Sequence, residues 1–194
     1  MKFDVAIIGG GLAGVTAATT LQQAGLKCVL IAEGLSLDGT SSRDFRRAGG
    51  TVLQGDRVTG GRFSGNRLEC IFTEKLGDEF IYADYFVLAT GKYFSRGIVA
   101  DMDKVYEPVF GLDVEYDADR TNWFNPSFAS RQKFLDFGVF TRSGCATKNG
   151  EPVLNLYPAG EVLAGLSGAQ GDASDIIRQS ALDAAKAIMD GRNR

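Results

Sequence analysis

The sequence contains no histidine and only three cysteines among its 194 residues. Without histidine, the chain lacks the side chain that most often acts as a general base and as a zinc ligand. Cys28, Cys70 and Cys145 are isolated from one another, so neither a redox-active CxxC pair nor a cysteine-rich iron–sulfur site is encoded. An odd number of scattered cysteines argues against a disulfide framework and indicates a reducing, cytoplasmic environment.

Long apolar runs and an excess of positive charge are also missing. No apolar run approaches the roughly 20 residues that are needed to cross a bilayer. The net charge of −3 gives the protein no general attraction to nucleic acid or anionic lipid. The chain opens on an apolar strand rather than on a signal peptide. We therefore expect a cytoplasmic protein with no direct membrane span and no nucleic-acid partner.

Glycine is abundant, with 25 residues, and its most informative use lies near the N-terminus. A short apolar run over residues 5–8 is typical of a buried parallel strand and is followed at once by Gly9-x-Gly11-x-x-Gly14. A helical stretch then extends to Gly25, and a second apolar strand over residues 29–31 is followed by Glu33. Strand, glycine turn, helix, strand and acid occur in the order of a dinucleotide-binding unit.

Each position of this unit has a physical role. Gly9 permits a tight turn, Gly11 lets a pyrophosphate approach the backbone, and Gly14 lets helix and strand pack closely. Glu33 follows Gly14 by 33 − 14 = 19 residues, near the spacing expected for a carboxylate on a ribose hydroxyl. The alternative is that the glycines only separate a strand from a helix. The predicted dinucleotide contacts are Gly9, Gly10, Gly11, Leu12, Ala13, Gly14 and Glu33.

The middle of the chain changes its periodicity. Residues 35–42 are expected to form a loop and residues 43–48 one or two helical turns. After a third short strand, two-residue alternation over residues 56–82 predicts an antiparallel meander with hairpin turns. Residues 85–89 then predict a fourth buried parallel strand, which ends in Thr90-Gly91.

The C-terminal third closes the predicted fold. Residues 120–126 are expected to form a loop, residues 130–137 a short helix, and residues 153–157 a last strand. A glycine-rich loop precedes a final helix from Asp172 to Met189, with Gly191 as its C-terminal cap. Its predicted inward stripe, at the helical period, is Ile176, Ile177, Ser180, Ala181, Ala184, Ala185 and Ile188.

The meander before the fourth parallel strand and the closing helix resemble the FAD-binding domain of the flavoproteins with two dinucleotide-binding domains. The residues that carry this resemblance are Gly9 to Gly14 with Glu33, Leu88-Ala89-Thr90-Gly91, and Tyr157-Pro158-Ala159-Gly160-Glu161. The family usually has Asp where this chain has Glu161. The resemblance implies an α/β, Rossmann-like FAD/NAD(P)-binding fold. In this fold a central parallel sheet carries an antiparallel three-stranded meander as one of its crossover connections. An NAD-dependent enzyme fits this arrangement less well. Further implied cofactor contacts are Val58, Ala89, Thr90, Gly91, Gly160 and Glu161.

A more specific resemblance rests on residues 87–100, on Glu107-Pro108-Val109-Phe110-Gly111-Leu112-Asp113-Val114, and on Phe137-Gly138-Val139. These stretches are similar to the B subunit of the anaerobic glycerol-3-phosphate dehydrogenases. The resemblance implies a flavin-dependent dehydrogenase that oxidises a small hydroxylated substrate such as glycerol 3-phosphate, or that relays electrons. It also implies partner flavoprotein and iron–sulfur subunits, with membrane association through a partner. The cofactor is expected to be FAD, with FMN as the alternative.

Family members are longer, and the stretch between Glu33 and Arg43 is short where they carry a large insertion. We therefore expect residues 1–194 to form one FAD/NAD(P)-binding domain, with residues 95–137 as a reduced remnant of a substrate or cap region. The alternative is a catalytically degenerate dinucleotide-binding module that scaffolds or regulates a complex.

The reaction chemistry is less defined than the cofactor. The start of the final helix is expected to face the flavin, with backbone N–H groups from Gly168, Gly171, Asp172 and Ala173. Lys92 and Arg96 are either ligands of an anionic substrate or solvated loop cations. Asp101, Asp103, Glu107 and Asp113 are equal candidates for the general base, so the catalytic residues stay unassigned. No metal site is predicted.

Overall fold

The computed structural model describes residues 1–34, 39–127, 129–167 and 173–192. Its helices are α1 (Leu12–Gln23), α2 (Gly39–Arg47) and α3 (Ala173–Arg192). Its longer strands are β1 (Lys2–Ile8), β2 (Cys28–Ala32), β3 (Thr51–Gln54), β4 (Val58–Ser64), β5 (Arg67–Thr73) and β6 (Ile81–Leu88). Its shorter strands are β7 (Val99–Ala100), β8 (Val105–Tyr106), β9 (Val114–Glu115), β10 (Gly138–Val139), β11 (Thr141–Arg142), β12 (Cys145–Lys148), β13 (Glu151–Pro152) and β14 (Leu156–Pro158).

A seven-stranded sheet forms the centre of the molecule, in the order β3-β2-β1-β6-β5-β4, with β14 also paired to β6. Strands β3, β2, β1, β6 and β14 run parallel, whereas β4 and β5 are antiparallel. The predicted fold class, a mainly parallel sheet with a meander crossover, is confirmed. Within the described ranges, no helix has the length and apolar character to cross a membrane.

The side chains of β1 alternate between two apolar layers. Val5 and Ile7 belong to a core that includes Leu21 of α1 and Ile188 of α3. Ala6 and Ile8 face the opposite layer, which the meander and the segments after β6 cover. Because a parallel sheet is stable only when both faces are covered, this division explains why residues 5–8 of β1 and all of β2 are apolar.

Strand β6 joins the two halves of the sheet. The sequence predicts a meander that ends at residue 82 and a separate strand over residues 85–89, but the structure contains one strand, Ile81–Leu88. Its first part pairs with β5 and its last part pairs with β14, while β1 runs along the other side. Asp84 occupies an exposed position of an alternating strand whose neighbour Ala83 is buried, so its charge does not interrupt the strand.

Other predicted boundaries also differ. Helix α2 begins at Gly39, inside the predicted loop 35–42, of which residues 35–38 lie outside the described ranges. The predicted strand 153–157 is replaced by β13 and β14, with Leu154 and Asn155 in a turn between them. Short 3₁₀ helices occupy Arg120–Asn122, Lys133–Asp136 and Gly160–Val162.

The closing helix keeps most of its predicted stripe. Ala181, Ala184, Ala185 and Ile188 are buried, whereas Ile176 is 58% exposed. Helix α3 continues through Gly191 to Arg192, so Gly191 is not its cap. Predicted residue Asp172 lies outside the described ranges. The stripe is narrower than predicted, because Ile176 lies outside it while Ile188 and the three alanines are in the core that includes α1.

A buried asparagine stabilises the turn before β14. Asn155 is 1% exposed, and its Oδ1 accepts a hydrogen bond of 2.9 Å from the backbone N–H of Leu68. Its Nδ2 donates to the carbonyl oxygens of Leu68 at 2.8 Å and Asp84 at 3.0 Å. One side chain thus satisfies three backbone groups at the point where β5, β6 and β14 converge.

Asn155→Ala should destabilise the protein by about 3 kcal/mol, because three buried backbone groups lose their partner. The measurement is the free energy of unfolding in urea. The control is Asn122→Ala, which removes one exposed bond of 3.3 Å to Asp117 and should change stability by less than about 0.5 kcal/mol. If both variants lost the same free energy of unfolding, the hydrogen bonds of Asn155 would contribute no more to stability than one exposed bond.

Candidate functional site

A cleft of about 1030 Å³ opens at the carboxyl ends of the parallel strands. This is the edge at which open α/β sheets bind their ligands. Its lining combines the turn after β1, the end of β2, the start of β4 and the segment after β6. The residues along it are Ile8, Gly9, Gly10, Gly11, Leu12, Ala13, Ile31, Ala32, Glu33, Gly34, Asp56, Arg57, Val58, Thr59, Ala89, Thr90, Gly91, Phe94, Ser95, Arg96, Val99, Pro108, Val109, Ala159, Glu161 and Ile177.

The glycine turn has two kinds of glycine. A Cβ on Gly9, whose φ is +111°, would lie 2.2 Å from the carbonyl oxygen of Ala89. A Cβ on Gly14 would lie 1.9 Å from the carbonyl oxygen of Gly9. A Cβ on Gly11 would have no heavy atom within 4 Å. Gly9 and Gly14 are therefore required by packing inside the protein, whereas Gly11 leaves space on the cleft side.

The N-terminus of α1 adjoins that space. Gly11 is the N-cap residue of helix α1, and no described side chain caps the N–H groups of the first turn by a hydrogen bond. The first turn also contains no acidic residue. The first N–H groups of a helix have no partner within the helix and carry partial positive charge. Together with the open face of Gly11, they form a site suited to a pyrophosphate.

Glu33 lies at another part of the cleft lining, beside Arg57, a cation that no sequence motif marks. Its Oε1 is 3.8 Å from Nη1 of Arg57, and Nη2 of Arg57 is 3.5 Å from Glu74. Buried Asp56 accepts hydrogen bonds from the backbone N–H groups of Arg57 at 2.8 Å and Lys75 at 3.0 Å. Asp56 thus fixes the backbone from which Arg57 and Val58 line the cleft.

The segment after β6 places an unsatisfied hydroxyl at the cleft. Thr90 Oγ1 is buried without a hydrogen-bond partner, the one such side-chain atom in the part of the chain that the structure describes. The backbone there is fixed, because Ser95 Oγ donates to the Thr90 carbonyl oxygen at 2.6 Å and Gly91 adopts a φ of +73°. Unsatisfied buried polar atoms are rare in folded proteins. This residue therefore fits a polar ligand in the cleft.

Gly160 and Glu161 differ in their position relative to the cleft. Gly160 does not line the cleft; a Cβ on it would lie 2.7 Å from Cβ of Ala13, and its N–H donates to Ser180 Oγ at 2.9 Å. Gly160 therefore lets the start of α1 and helix α3 pack closely. Glu161 lines the cleft. Ala173 is buried outside the lining, and Gly168, Gly171 and Asp172 lie outside the described residues.

Lys92 and Arg96 have different surroundings. Lys92 is 7% exposed and lies outside the cleft lining; its Nζ donates to the carbonyl oxygens of Leu135 at 2.5 Å and Leu166 at 2.7 Å. Burial lowers the pKa of Lys92 to about 8, although Asp136 and Glu161 act in the opposite direction. The structure therefore uses this ammonium group to hold two neighbouring segments together.

Arg96, in contrast, is exposed and lines the cleft. It has a φ of +58°, a conformation that few residues other than glycine adopt. Among the side chains that the structure describes, no carboxylate lies within ion-pair distance of its guanidinium group. Arg96 is therefore available to an anionic ligand.

The four candidate bases do not line the cleft. Asp101 accepts two backbone N–H groups of its own turn, and Asp113 accepts those of Asn149 and Gly150. Glu107 is buried and bonded to backbone amides. The carboxylates that line the cleft are Glu33, Asp56 and Glu161. Within the described residues, no cluster of side chains is suited to a metal ion.

Curated relatives share substantial sequence identity with this chain. It is 42% identical over 151 residues to a protein from Actinobacillus pleuropneumoniae that is named as the B subunit of anaerobic glycerol-3-phosphate dehydrogenase, covering 74% of this chain and 35% of that protein. It is 37% identical over 171 residues to the protein of that name from Aliivibrio fischeri, covering 81% of this chain and 38% of that protein. The chain thus spans about a third of the length of these relatives.

Solved structures with low sequence identity share the fold. The THI4 protein of Thermovibrio ammonificans superimposes with a TM-score of 0.62 at 15% identity, covering 100% of this chain and 91% of that one. A thioredoxin reductase from Gloeobacter violaceus gives a TM-score of 0.61 at 12% identity, covering 99% and 95% of the two chains.

A family model described as FAD binding domain matches residues 4–43 and 37–175. These matches include the glycine turn, Glu33, the meander and the segment after β6, so they cover nearly all of the cleft lining. The geometry is compatible with the cofactor that the description names, because Gly11 leaves room for a pyrophosphate and Thr90 offers an unsatisfied hydroxyl. The expected resemblance and cofactor are thereby confirmed, and the chain belongs to the FAD binding domain family.

Proposed function

We propose that this chain is the FAD-binding part of a flavin-dependent dehydrogenase that oxidises glycerol 3-phosphate or a similar small hydroxylated anion. The observation that carries the proposal is the 37–42% identity to proteins named as the B subunit of anaerobic glycerol-3-phosphate dehydrogenase. The chain also retains the cleft that a dinucleotide requires. FAD supplies a hydride acceptor when it is bound. The alternative cofactor, FMN, lacks the adenosine that the ribose-binding position of Glu33 would serve.

The proposed contacts follow the cleft lining. The turn from Gly9 to Ala13 and the start of α1 bind the pyrophosphate, and Glu33 accepts hydrogen bonds from the adenosine ribose. Val58, the residues Ala89 to Gly91 and Glu161 complete the cofactor contacts. Gly14 and Gly160 act indirectly, because each permits helix α1 to pack at the distance that forms the turn.

Arg96 is the proposed ligand for the phosphate of the substrate. It lines the cleft, carries a charge that no described carboxylate neutralises, and has its backbone held by the turn after Gly91. Lys92 contributes by holding that turn against Leu135 and Leu166 rather than through substrate contact. The general base stays unassigned.

Residues 1–194 are proposed to form one domain in which residues 95–137 are the remnant of a substrate or cap region. The regular elements of its described residues, 95–127 and 129–137, are short strands and 3₁₀ helices. Its aromatic cluster of Tyr116, Trp123 and Phe137 has ring centroids 5.5–6.4 Å apart. Phe137 and Trp123 pack on the same core layer as the sheet. The segment therefore covers the sheet instead of building a separate layer.

A non-catalytic role in a complex is the second candidate function. The chain spans about a third of its relatives' length, and the two family matches meet at residues 37–43, where the sequence analysis places a missing insertion. None of the four candidate bases lines the cleft. In this case the dinucleotide-binding module would scaffold or regulate a complex with partner subunits.

Gly11→Val should weaken FAD binding about hundredfold or more, because the new side chain fills the space in front of the turn. The measurement is FAD affinity by titration of the apoprotein, monitored by quenching of flavin fluorescence. The fold should be retained, since no described heavy atom apart from those of Gly11 and its two chain neighbours lies within 4 Å of the added Cβ. Thermal unfolding of the apoprotein checks this.

Gly191→Val is the matched control. Its Cβ would make an ordinary contact at 3.5 Å with Tyr85 Oη, outside the cleft, so FAD affinity should not change. If Gly11→Val bound FAD as tightly as this control, the pyrophosphate would not lie at the glycine turn.

Glycerol 3-phosphate should bleach the yellow colour of the FAD-loaded protein, and Arg96→Asn should raise the concentration for half-bleaching about tenfold. Asparagine tolerates the positive φ of this position, so the variant removes the charge with little backbone strain. Arg142→Asn, an exposed position outside the cleft, is the control and should behave as the wild type. Bleaching by dithionite but not by glycerol 3-phosphate would favour the non-catalytic role.

A further inference from the structure

A buried carboxylate lies at the centre of the loop formed by residues 107–112. Glu107 is 1% exposed, and its Oε1 accepts the backbone N–H of Val109 at 2.8 Å. Its Oε2 accepts the N–H groups of Phe110 at 2.8 Å and Leu112 at 3.4 Å. Burial raises the pKa of Glu107, and these amides act in the opposite direction. Both carboxylate oxygens of Glu107 accept hydrogen bonds, so the backbone of the loop curls around the side chain of its first residue.

A cation holds the same loop by its carbonyl oxygens. Lys148, at the end of β12, donates from Nζ to the carbonyl oxygens of Phe110 and Gly111. The same ammonium group lies 5.4 Å from the ring centroid of Phe63, which meets the ring of Phe110 edge-to-face at 6.0 Å. Glu107 therefore binds the N–H groups of the loop, and Lys148 binds its carbonyl groups.

The loop contributes part of the cleft wall. Pro108 and Val109 line the cleft, whereas Glu107 and Lys148 do not. The loop has no regular strand or helix of its own between β8 and β9, so its shape depends on these bonds. A change in either charged residue would thus alter the wall without removing any group that faces the cleft.

We propose that Glu107 and Lys148 are positioning residues for the cofactor cleft, which hold the 107–112 loop from its two sides so that Pro108 and Val109 form a fixed wall. This inference rests on the proposed function, since it assigns a role in FAD binding to groups outside the cleft. Two residues 41 positions apart in sequence (148 − 107 = 41) then act on one wall. A binding site is more precise when its contacting residues are held by such supporting bonds.

The test measures the FAD dissociation constant of Glu107→Gln, Lys148→Met and the double variant. Glutamine can accept with only one of its two terminal atoms, so the N–H groups on the other side lose their acceptor. Each single variant should raise the dissociation constant about tenfold. The double variant should raise it little further, because both residues act on the same loop.

Two controls separate positioning from general stability. Lys148→Arg keeps a cationic donor and should restore affinity close to the wild type. Asp119→Asn removes a carboxylate that accepts the backbone N–H and the hydroxyl of Thr121, on a turn outside the cleft and away from the 107–112 loop. It should leave the dissociation constant unchanged. Apoprotein stability is measured for every variant.

The outcomes are distinct. If the wild-type protein binds no FAD, both the proposed function and this inference fail. If the wild type binds FAD, and both Lys148→Met and Glu107→Gln bind it as tightly as the wild type does, only this inference fails. This holds even when the variants are less stable than the wild type. If Glu107→Gln does not fold, Lys148→Met and its rescue by Lys148→Arg decide the question alone, since Lys148 is only partly buried.

Discussion

The site depends on the close approach of three backbone segments. The carbonyl oxygen of Ala89 occupies the place of a Cβ on Gly9, and the carbonyl oxygen of Gly9 occupies the place of a Cβ on Gly14. Strand β1, helix α1 and the end of β6 are thereby brought to distances that no other residue type allows. The cleft exists because these segments meet so closely on one side, while Gly11 faces an open space on the other.

In the part of the chain that the structure describes, the charged groups in and around the cleft are of two kinds, those bound by other groups of the protein and those that are not. Most charged groups near it are engaged by the protein itself: Arg57 by Glu33 and Glu74, Asp56 by backbone amides, and Lys92 by two carbonyl oxygens. These bonds hold the charged groups in place and so shape the cleft. Arg96 differs, because it has no described carboxylate partner and sits on a strained turn. Such strain is commonly found at functional positions and supports its proposed contact with an anion.

The sequence predicted local features better than it predicted features formed by distant segments. The turn from Gly9 to Gly14 was identifiable because its spacing and its two flanking strands are continuous in the chain. Strand β6 was split in the prediction, since nothing local shows that Asp84 occupies an exposed position between two paired partners. The role of Lys92 was equally inaccessible, because its acceptors Leu135 and Leu166 are remote in sequence. Helical periodicity alone places Ile176 in the core, but it does not show how wide a face of α3 the rest of the protein covers.

Strand β6 has paired strands on both sides at its C-terminal end, which has a consequence for local opening. At residues 86–88 it pairs with β1 on one side and with β14 on the other, in the middle of the parallel region. Backbone amides in such a position exchange with solvent deuterium only when large parts of a domain separate. The rim of Ala89, Thr90 and Gly91 thus follows directly from a segment that we expect to exchange slowly, whereas the 107–112 loop is held by side-chain bonds to Glu107 and Lys148.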